Sequence, residues 1–450
     1  MSKFIVVDHS QALLLPPDLR EWVPEDDLVN FVIEAASRVS VTKFKVNVRG
    51  TGSAQHHPHT LLALLVYCYS QGIFGSRRIE RATYRDVAVR YLTGDSHPDH
   101  DTLCKFRREN EVALKEAFLQ VLQLAKELKL LKVGTISVDG SKVDANASKH
   151  RSVRYDRAQA LREQLQQEID GLLSQAEKAD QCEREEGLRL PKELARLEKL
   201  KAQMDAATAR LEAQAKAQAE RERAAQAEKE AAREKRSGRR KGPKIKPPSE
   251  VPKPGAQTNL TDPDAKLMRK NKHSEYRQAY NAQLAVDADG SQLILAARVS
   301  TCASDRNELV ADVDAIAPAV GTPSCVLADN GFATGSEVAT LKARGIDALV
   351  AVGRQQRRRH DLRPEPPEKK PPPQIREPWM LKMQARLNKE PNRQRYRLRQ
   401  QTVEPVFGII KSVLGFRQFL LRGVDKVRTE WTLVTLAYNV KRLHRLQAAT

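Results

Sequence analysis

The sequence predicts a mixed α/β domain, preceded by an all-α domain and interrupted by a helical hairpin. Three observations lead there. Apolar, β-branched runs ending at Asp139, Val286, Val299, Asp329 and Val352 alternate with turn and helix signals, the order expected of a mixed sheet. Residues 1–130 carry helical apolar spacing, as in Leu61, Leu62, Leu64, Leu65 and Tyr69 of a helix ending near Gly72. From Tyr155 to about Arg236 the composition turns to Ala, Glu, Gln, Lys, Arg and Leu, which favours long exposed helices.

In the first 130 residues a second helix is expected from about Ser76, with Ser76 as its cap and Arg77, Arg78 and Arg81 on its surface. A third is expected from Asp101 and Thr102, with Lys105, Arg107 and Arg108 facing out while Leu103, Phe106, Leu114 and Phe118 pack. Helix, glycine turn and basic helix outline a helix-turn-helix DNA binder; a helical domain with a solvated basic face is the alternative. His56, His57 and His59, beside Pro58, are read as leading into a helix and not as metal ligands.

The α/β part opens at residues 131–154 and resumes at 261–450. Between these, residues 155–236 should form an antiparallel hairpin. Leu161, Leu165, Ile169 and Leu172 define its first helix, and Gly187 with Pro191 supplies a break. Leu190, Leu194, Leu197, Lys201, Met204, Thr208 and Leu211 follow the four-and-three spacing of a coiled-coil seam, weakened by its lysine and threonine. Residues 237–260 continue as a basic, proline-rich linker, and 354–376 as a second loose insertion rich in Arg and Pro. Tyr280–Val286 and Leu293–Val299 flank Asp287-Ala-Asp-Gly290 as a hairpin. A helix is expected from Asp305, capped by that aspartate, with Glu308 completing a capping box.

The chain of 450 residues is long enough for two or three domains with real cores. Its formal charge of +20 and pI near 9.7 imply an acidic polymer as partner, nucleic acid ahead of a membrane surface, since no lipid-anchor motif or strongly apolar amphipathic helix accompanies the charge. Phe4-Ile-Val-Val7 is broken by Asp8, so neither a secretory segment nor a span is expected and the protein should stay in the cytoplasm. Cys68, Cys104, Cys182, Cys302 and Cys325 are scattered without CxxC spacing and should be reduced.

Three carboxylates stand out. Asp139 closes the buried run Gly134-Thr-Ile-Ser-Val-Asp139. Asp329 closes Ser324-Cys-Val-Leu-Ala-Asp329 before an Asn-Gly turn. Glu404 precedes Pro405, which suggests the start or a kink of a helix beside the acid. Two strand-borne aspartates and one helix-borne glutamate could converge at one edge of a sheet, where mutual repulsion calls for a divalent cation. Hard oxygen donors suit Mg²⁺ or Mn²⁺. Asp144, Asp262, Asp264, Asp287 and Asp305 are read as turn, cap or packing residues.

These stretches resemble the DDE transposases of bacterial insertion sequences, most closely the group that may be written as family eleven-eighty-two. The resemblance runs through His57-Pro58-His-Thr-Leu-Leu62, Gly75-Ser-Arg-Arg-Ile-Glu-Arg81, Pro98-Asp-His-Asp-Thr-Leu-Cys-Lys-Phe-Arg107, Val138-Asp-Gly-Ser-Lys142, Ala145-Asn-Ala-Ser148 and Thr261-Asp-Pro-Asp-Ala-Lys-Leu-Met268. It continues in Tyr280-Asn-Ala-Gln283, the Asp329 turn, Thr402-Val-Glu-Pro-Val-Phe-Gly408 and Phe419-Leu-Leu-Arg-Gly423. It implies an RNase H-like catalytic domain that cuts DNA at the element's ends and joins it to a target, with Asp139, Asp329 and Glu404 as catalytic and metal-binding residues of a two-ion site in which Asp139 bridges. The family's Tyr, Arg, Glu, Lys signature is matched by Tyr396, Arg399, Glu404 and Lys411. Four residues separate Arg399 from Glu404 where related groups have three, so Arg397 is an alternative to Arg399. Arg399 and Lys411 join Arg77, Arg78, Arg81, Lys105, Arg107 and Arg108 as expected DNA contacts. The implied partners are terminal inverted repeats and target DNA, with a homodimer assembling on them at the bacterial nucleoid. A catalytically inactive, DNA-binding relic is the alternative.

Overall fold

The computed structural model describes residues 18–46, 55–180, 190–237, 247–269, 273–353 and 377–449. Phe4–Val7, Gly187, most of the basic linker and the 354–376 insertion lie outside them.

Helices come first: α1 (Leu28–Ser37), α2 (Pro58–Ser70), α3 (Ser76–Arg85), α4 (Val87–Thr93), α5 (His100–Glu109) and α6 (Glu111–Glu127). His57 caps α2, as its place before Pro58 suggested. Every residue of α2 from Leu61 to Ser70 is buried, as befits a helix apolar on all sides. It is enclosed by α1 and α4 and by α13 (Val424–Ala448), the last helix of the chain. Leu62 and Val66 share a cluster with Val121, Leu436 and Val440, so the first and last helices of the chain build one core.

Two helix starts in the N-terminal part differ from expectation. Ser76 is the first residue of α3 and not its cap: Gly75 occupies that position, and the Ser76 hydroxyl accepts from the Cys104 thiol. Helix α5 begins at His100, capped by Asp99, whose carboxylate accepts from Thr102 N at 2.6 Å. The short α4 between them, capped by Asp86, carried too few residues to give a periodic signal.

The sheet comprises β1 (Thr135–Asp144), β4 (Lys266–Met268), β5 (Arg277–Asp287), β6 (Ile294–Ser300), β7 (Cys325–Ala328) and β8 (Asp347–Val350). β1 is central. One side pairs antiparallel with β5, in register Asp139↔Leu284; the other pairs parallel with β7, in register Ser137↔Leu327. β8 continues the parallel side, and β5 pairs antiparallel with β4 and β6 along successive stretches. β5 and β6 realise the expected hairpin, and Asp287 holds its turn by accepting from Ser291 N and Oγ. Helices α9 (Leu309–Asp314), α10 (Gly335–Ala343), α11 (Pro378–Leu387) and α12 (Asn392–Gly408) complete this part.

The expected capping box at Asp305 and Glu308 does not form. Helix α9 starts at Leu309 with no side-chain cap. Glu308 instead accepts from Ser300 Oγ and Arg298, and Asp305 points elsewhere. Nor does a helix begin at Glu404: it stands far along α12, Pro405 is inside that helix, and a π-helical turn follows at Ile409–Val413.

Helices α7 (Tyr155–Asp180) and α8 (Leu190–Ser237) leave the sheet through a two-stranded ribbon of β2 (Ser152–Arg154) and β3 (Gln257–Asn259). They run antiparallel, since Tyr155 bonds Glu212, Arg162 faces Asp205 and Lys201 bonds Gln166. Leu165, Ile169, Met204, Thr208 and Leu211 are buried between them. Among the described residues no helix is long and apolar enough to cross a membrane.

Gly72, at φ +78°, closes α2 where the chain passes under Leu414; a Cβ there would lie 2.6 Å from the Leu414 carbonyl oxygen. Gly72→Ala should therefore destabilise the protein by about 1–3 kcal/mol through backbone strain and this contact. A urea midpoint equal to that of the unmodified protein would refute it.

Candidate active site

Asp139 lies where β1 outruns its parallel neighbour. β7 ends at Ala328, Asp329 follows at once, and β1 continues to Asp144 along β5. Asp139 is thus mid-strand and not near a strand end as its sequence context suggested. Beyond Ala328, β1 has room for α12, which packs across both strands. Three hydrogen bonds fix this crossing: Tyr396 Oη donates to Ala328 O at 3.1 Å, and Lys411 Nζ donates to Ser141 Oγ at 2.6 Å and Lys142 O at 2.7 Å. Between them Val403, Val406 and Ile410 are fully buried. Glu404 is thereby held over the strand ends.

The three carboxylates meet at one guanidinium. Arg399 Nη2 lies 3.2 Å from Asp139 Oδ2 and 3.9 Å from Asp329 Oδ2, and Nη1 lies 3.0 Å from Glu404 Oε1. Its side chain is only 11% exposed, against 44% for Glu404. This separates the two arginines the sequence left open: Arg399 is in the site and Arg397 faces outward. Burial pushes the Asp139 carboxyl up to about 7, with Arg399 opposing and the charges of Asp329 and Asp305 adding to the rise.

A fourth acid belongs to this neighbourhood. Asp305 Oδ1 accepts from Asn281 Nδ2 at 2.7 Å and Gln283 Nε2 at 2.8 Å, with Lys142 Nζ at 3.6 Å. A Cβ at Gly140 would come within 2.4 Å of Asp305 Oδ1, and one at Gly331 within 3.4 Å of Oδ2. The carboxylate is wedged between the residue after Asp139 and the turn after Asp329. Gly140, which needs no positive φ, was the available signal: a glycine kept for space implies a close neighbour. The other acids set aside have structural partners. Asp144 pairs with Arg277, Asp262 accepts from Tyr280 Oη, and Asp264 accepts from Val424 N.

Among the basic residues expected on DNA, Arg77, Arg78 and Arg81 are exposed on α3, and Lys105 and Arg108 on α5. Arg107 is a correction. It is 4% exposed and donates to Tyr69 Oη at 2.6 Å, beside the buried Glu430, because its position on α5 faces α2 and α13. It cannot reach DNA. Lys411 is in the site, engaged with β1.

Two family models match this chain. The Transposase DDE domain covers residues 248–440, and the Transposase domain (DUF772) covers residues 17–109. The chain belongs to the DDE-type insertion-sequence transposases. The first match takes in Asp329, Arg399, Glu404 and Lys411, and the second the helices through α5; Asp139 lies between the two. Comparisons with curated proteins and with solved structures gave no match.

Among the described residues no three His, Cys, Asp or Glu side chains form a ready-made metal cage. The donors nevertheless fit a hard divalent cation: carboxylate oxygens from three elements already converge on one positive group, the Arg399 guanidinium, which stands where a cation would.

The raised Asp139 group gives the transposase a signed pH dependence. Between about pH 4 and pH 7 the unfolded chain loses this proton before the folded protein does, so without metal the group's contribution to stability falls as pH rises through that window. Asp139→Asn removes this loss. The urea midpoint of the variant relative to the unmodified transposase, in chelator, should increase from pH 4 to pH 8; a pH-independent difference contradicts the assignment.

Proposed function

We propose that this transposase cuts DNA at the ends of its insertion sequence and joins those ends to target DNA, with Asp139, Asp329 and Glu404 as the catalytic, metal-binding triad. The convergence of all three carboxylates on Arg399 carries this reading. The sheet order, with β1 between antiparallel β5 and parallel β7, supports an RNase H-like domain formed by residues 131–154 and 261–450. The helical part, 1–130, would bind the terminal repeats through Arg77, Arg78, Arg81, Lys105 and Arg108. The α7–α8 pair is an inserted coiled-coil hairpin within 155–236, and two protomers assemble on paired ends in the cytoplasm.

Bound Mg²⁺ or Mn²⁺, two ions in this reading, supplies Lewis acidity to the scissile phosphate and to the attacking oxygen. Asp139, Asp329 and Glu404 would hold these ions, with Asp139 shared between them as the family resemblance implies. In the cutting step water attacks phosphorus and the 3′-oxygen leaves as a hydroxyl; in the joining step that 3′-hydroxyl attacks a target phosphate and displaces the target strand's own 3′-oxygen. Arg399, beside the three carboxylates, would hold the phosphate, and Lys411 steadies β1 beside it. Asp305 keeps Gly140 and Gly331 in place behind the two aspartates. No side chain of the protein forms a bond to phosphorus.

The deciding experiment is Mg²⁺-dependent cleavage of DNA carrying the gene's own flanking sequences. The unmodified transposase should cut at the flank boundaries, and Asp329→Ala should lower the rate at least a hundredfold while still binding the DNA. Binding without cutting by either protein, in Mg²⁺ or Mn²⁺, would make the chain an inactive relic.

Arg399 also gives a prediction apart from cleavage. Arg399→Gln removes the resident positive charge, so Mn²⁺ titrated into the DNA-free variant should bind several-fold more tightly than to the unmodified transposase. Equal or weaker Mn²⁺ binding by calorimetry would show that Arg399 does not occupy the cation position.

A further inference from the structure

Helix α12 begins with arginines that the triad does not use. Arg393, Arg395 and Arg397 stand in its first six residues, and its first turn holds no acid. Cations there face the positive end of the helix dipole, so helix stability gives no reason for them. Arg395 stands beside the Cys325 thiol. Arg393 and Arg397 remain exposed, and among the described residues neither forms an ion pair.

Some exposed cations at other helices find an acid one turn away: Arg38 at the end of α1 pairs with Glu34, Lys115 with Glu111 on α6, and Arg428 with Asp425 on α13. On α12 the positions one turn beyond Arg397 are Gln400 and Gln401, both exposed and uncharged. Among the described residues, the two arginines thus present unpaired charge on the helix that carries Glu404.

Their spacing says where it lies. Residues 393, 397 and 404 are four and seven apart, so they share one stripe of the helix. At about 1.5 Å per residue, Arg393 and Arg397 are about 6 Å apart along the axis and Arg397 is about 10 Å from Glu404. That stripe is the outer face of α12, opposite the buried Val403, Val406 and Ile410.

We propose that Arg393 and Arg397 form a phosphate track, along which one strand of DNA lies as it enters the site at Glu404. The proposal rests on the triad being the place where DNA is cut. The proposed contacts are blind to base sequence: two guanidinium groups on successive turns meet successive phosphates.

The test is binding of the full-length transposase to labelled DNA duplexes of unrelated sequence, in EDTA, over a series of salt concentrations, with cleavage in Mg²⁺ followed in parallel. Arg393→Ala and Arg397→Ala should each reduce the slope of log K against log salt by about 0.9, or by about 0.7 if the strand held is single. They should weaken all duplexes alike and leave the thermal midpoint unchanged, and the lysine variants should retain the slope. Unchanged affinity and slope in the double alanine variant, in protein that still cuts DNA, overturn the track and leave the triad reading standing. Reduced slopes in a protein whose wild type never cuts DNA support the track as a DNA-binding face and count against the triad alone.

Discussion

Everything around the site answers to the repulsion between carboxylates brought together at the edge of a buried sheet. Asp139 sits on a strand paired on both sides up to Ser137 and on one side beyond, where burial alone disfavours its charge. Asp329 and Glu404 approach from a neighbouring turn and from a crossing helix, and Arg399 offsets all three. The guanidinium reaches them only because α12 is fastened on either side of Glu404, through Tyr396 to the end of β7 and through Lys411 to β1. Pro405 removes one helical N–H just after Glu404, and Lys411 stands within the π-helical turn that follows. The irregular stretch thus runs from the acid to the lysine that anchors it.

The same helix leads into the part of the chain that joins site and N-terminal helices. After the π turn, Leu414 passes over Gly72 at the end of α2. Phe416 and Phe419 then pack against Trp431 of α13, and Phe416 also meets Phe74 of the α2–α3 connection. Glu430, buried in α13, accepts from the backbone of Leu420 and Leu421 and faces Arg107 of α5. The opposite charges of this acid and base offset one another's burial, while their hydrogen bonds go to the Leu420 and Leu421 amides and to Tyr69, tying these segments together. A helix carrying exposed arginines, α3, and the helix carrying Glu404 are therefore parts of one packed body.

Much of this was legible in the sequence because the signals were local. The run before Asp139, the hairpin around Asp287, the caps and apolar faces of α2 and the seam of α8 depend on neighbours within a turn or a strand, where periodicity and turn chemistry act. Two of the expectations that failed depended on distant partners. Asp305 followed by Glu308 satisfies a capping pattern, yet amides from β5 and a lysine from β1 compete for the aspartate, and an arginine and a serine from β6 for the glutamate. Arg107 has the spacing of a surface residue on a basic helix, but Tyr69 and Glu430 make an interior place for it.

The sequence by itself determined the element order, the separation of a helical part from a sheet part, the basic charge that calls for a polyanion, and the three acids whose contexts mark them out. Tertiary structure decided which charges share space. It chose Arg399 over Arg397 as the group among the carboxylates, added Asp305 beside them, and turned Arg107 inward. The reason is physical: backbone propensity acts over a few residues and is written in their order, whereas a charge is stabilised by whatever stands within a few ångströms in space. For Asp139 that is a guanidinium 260 residues away.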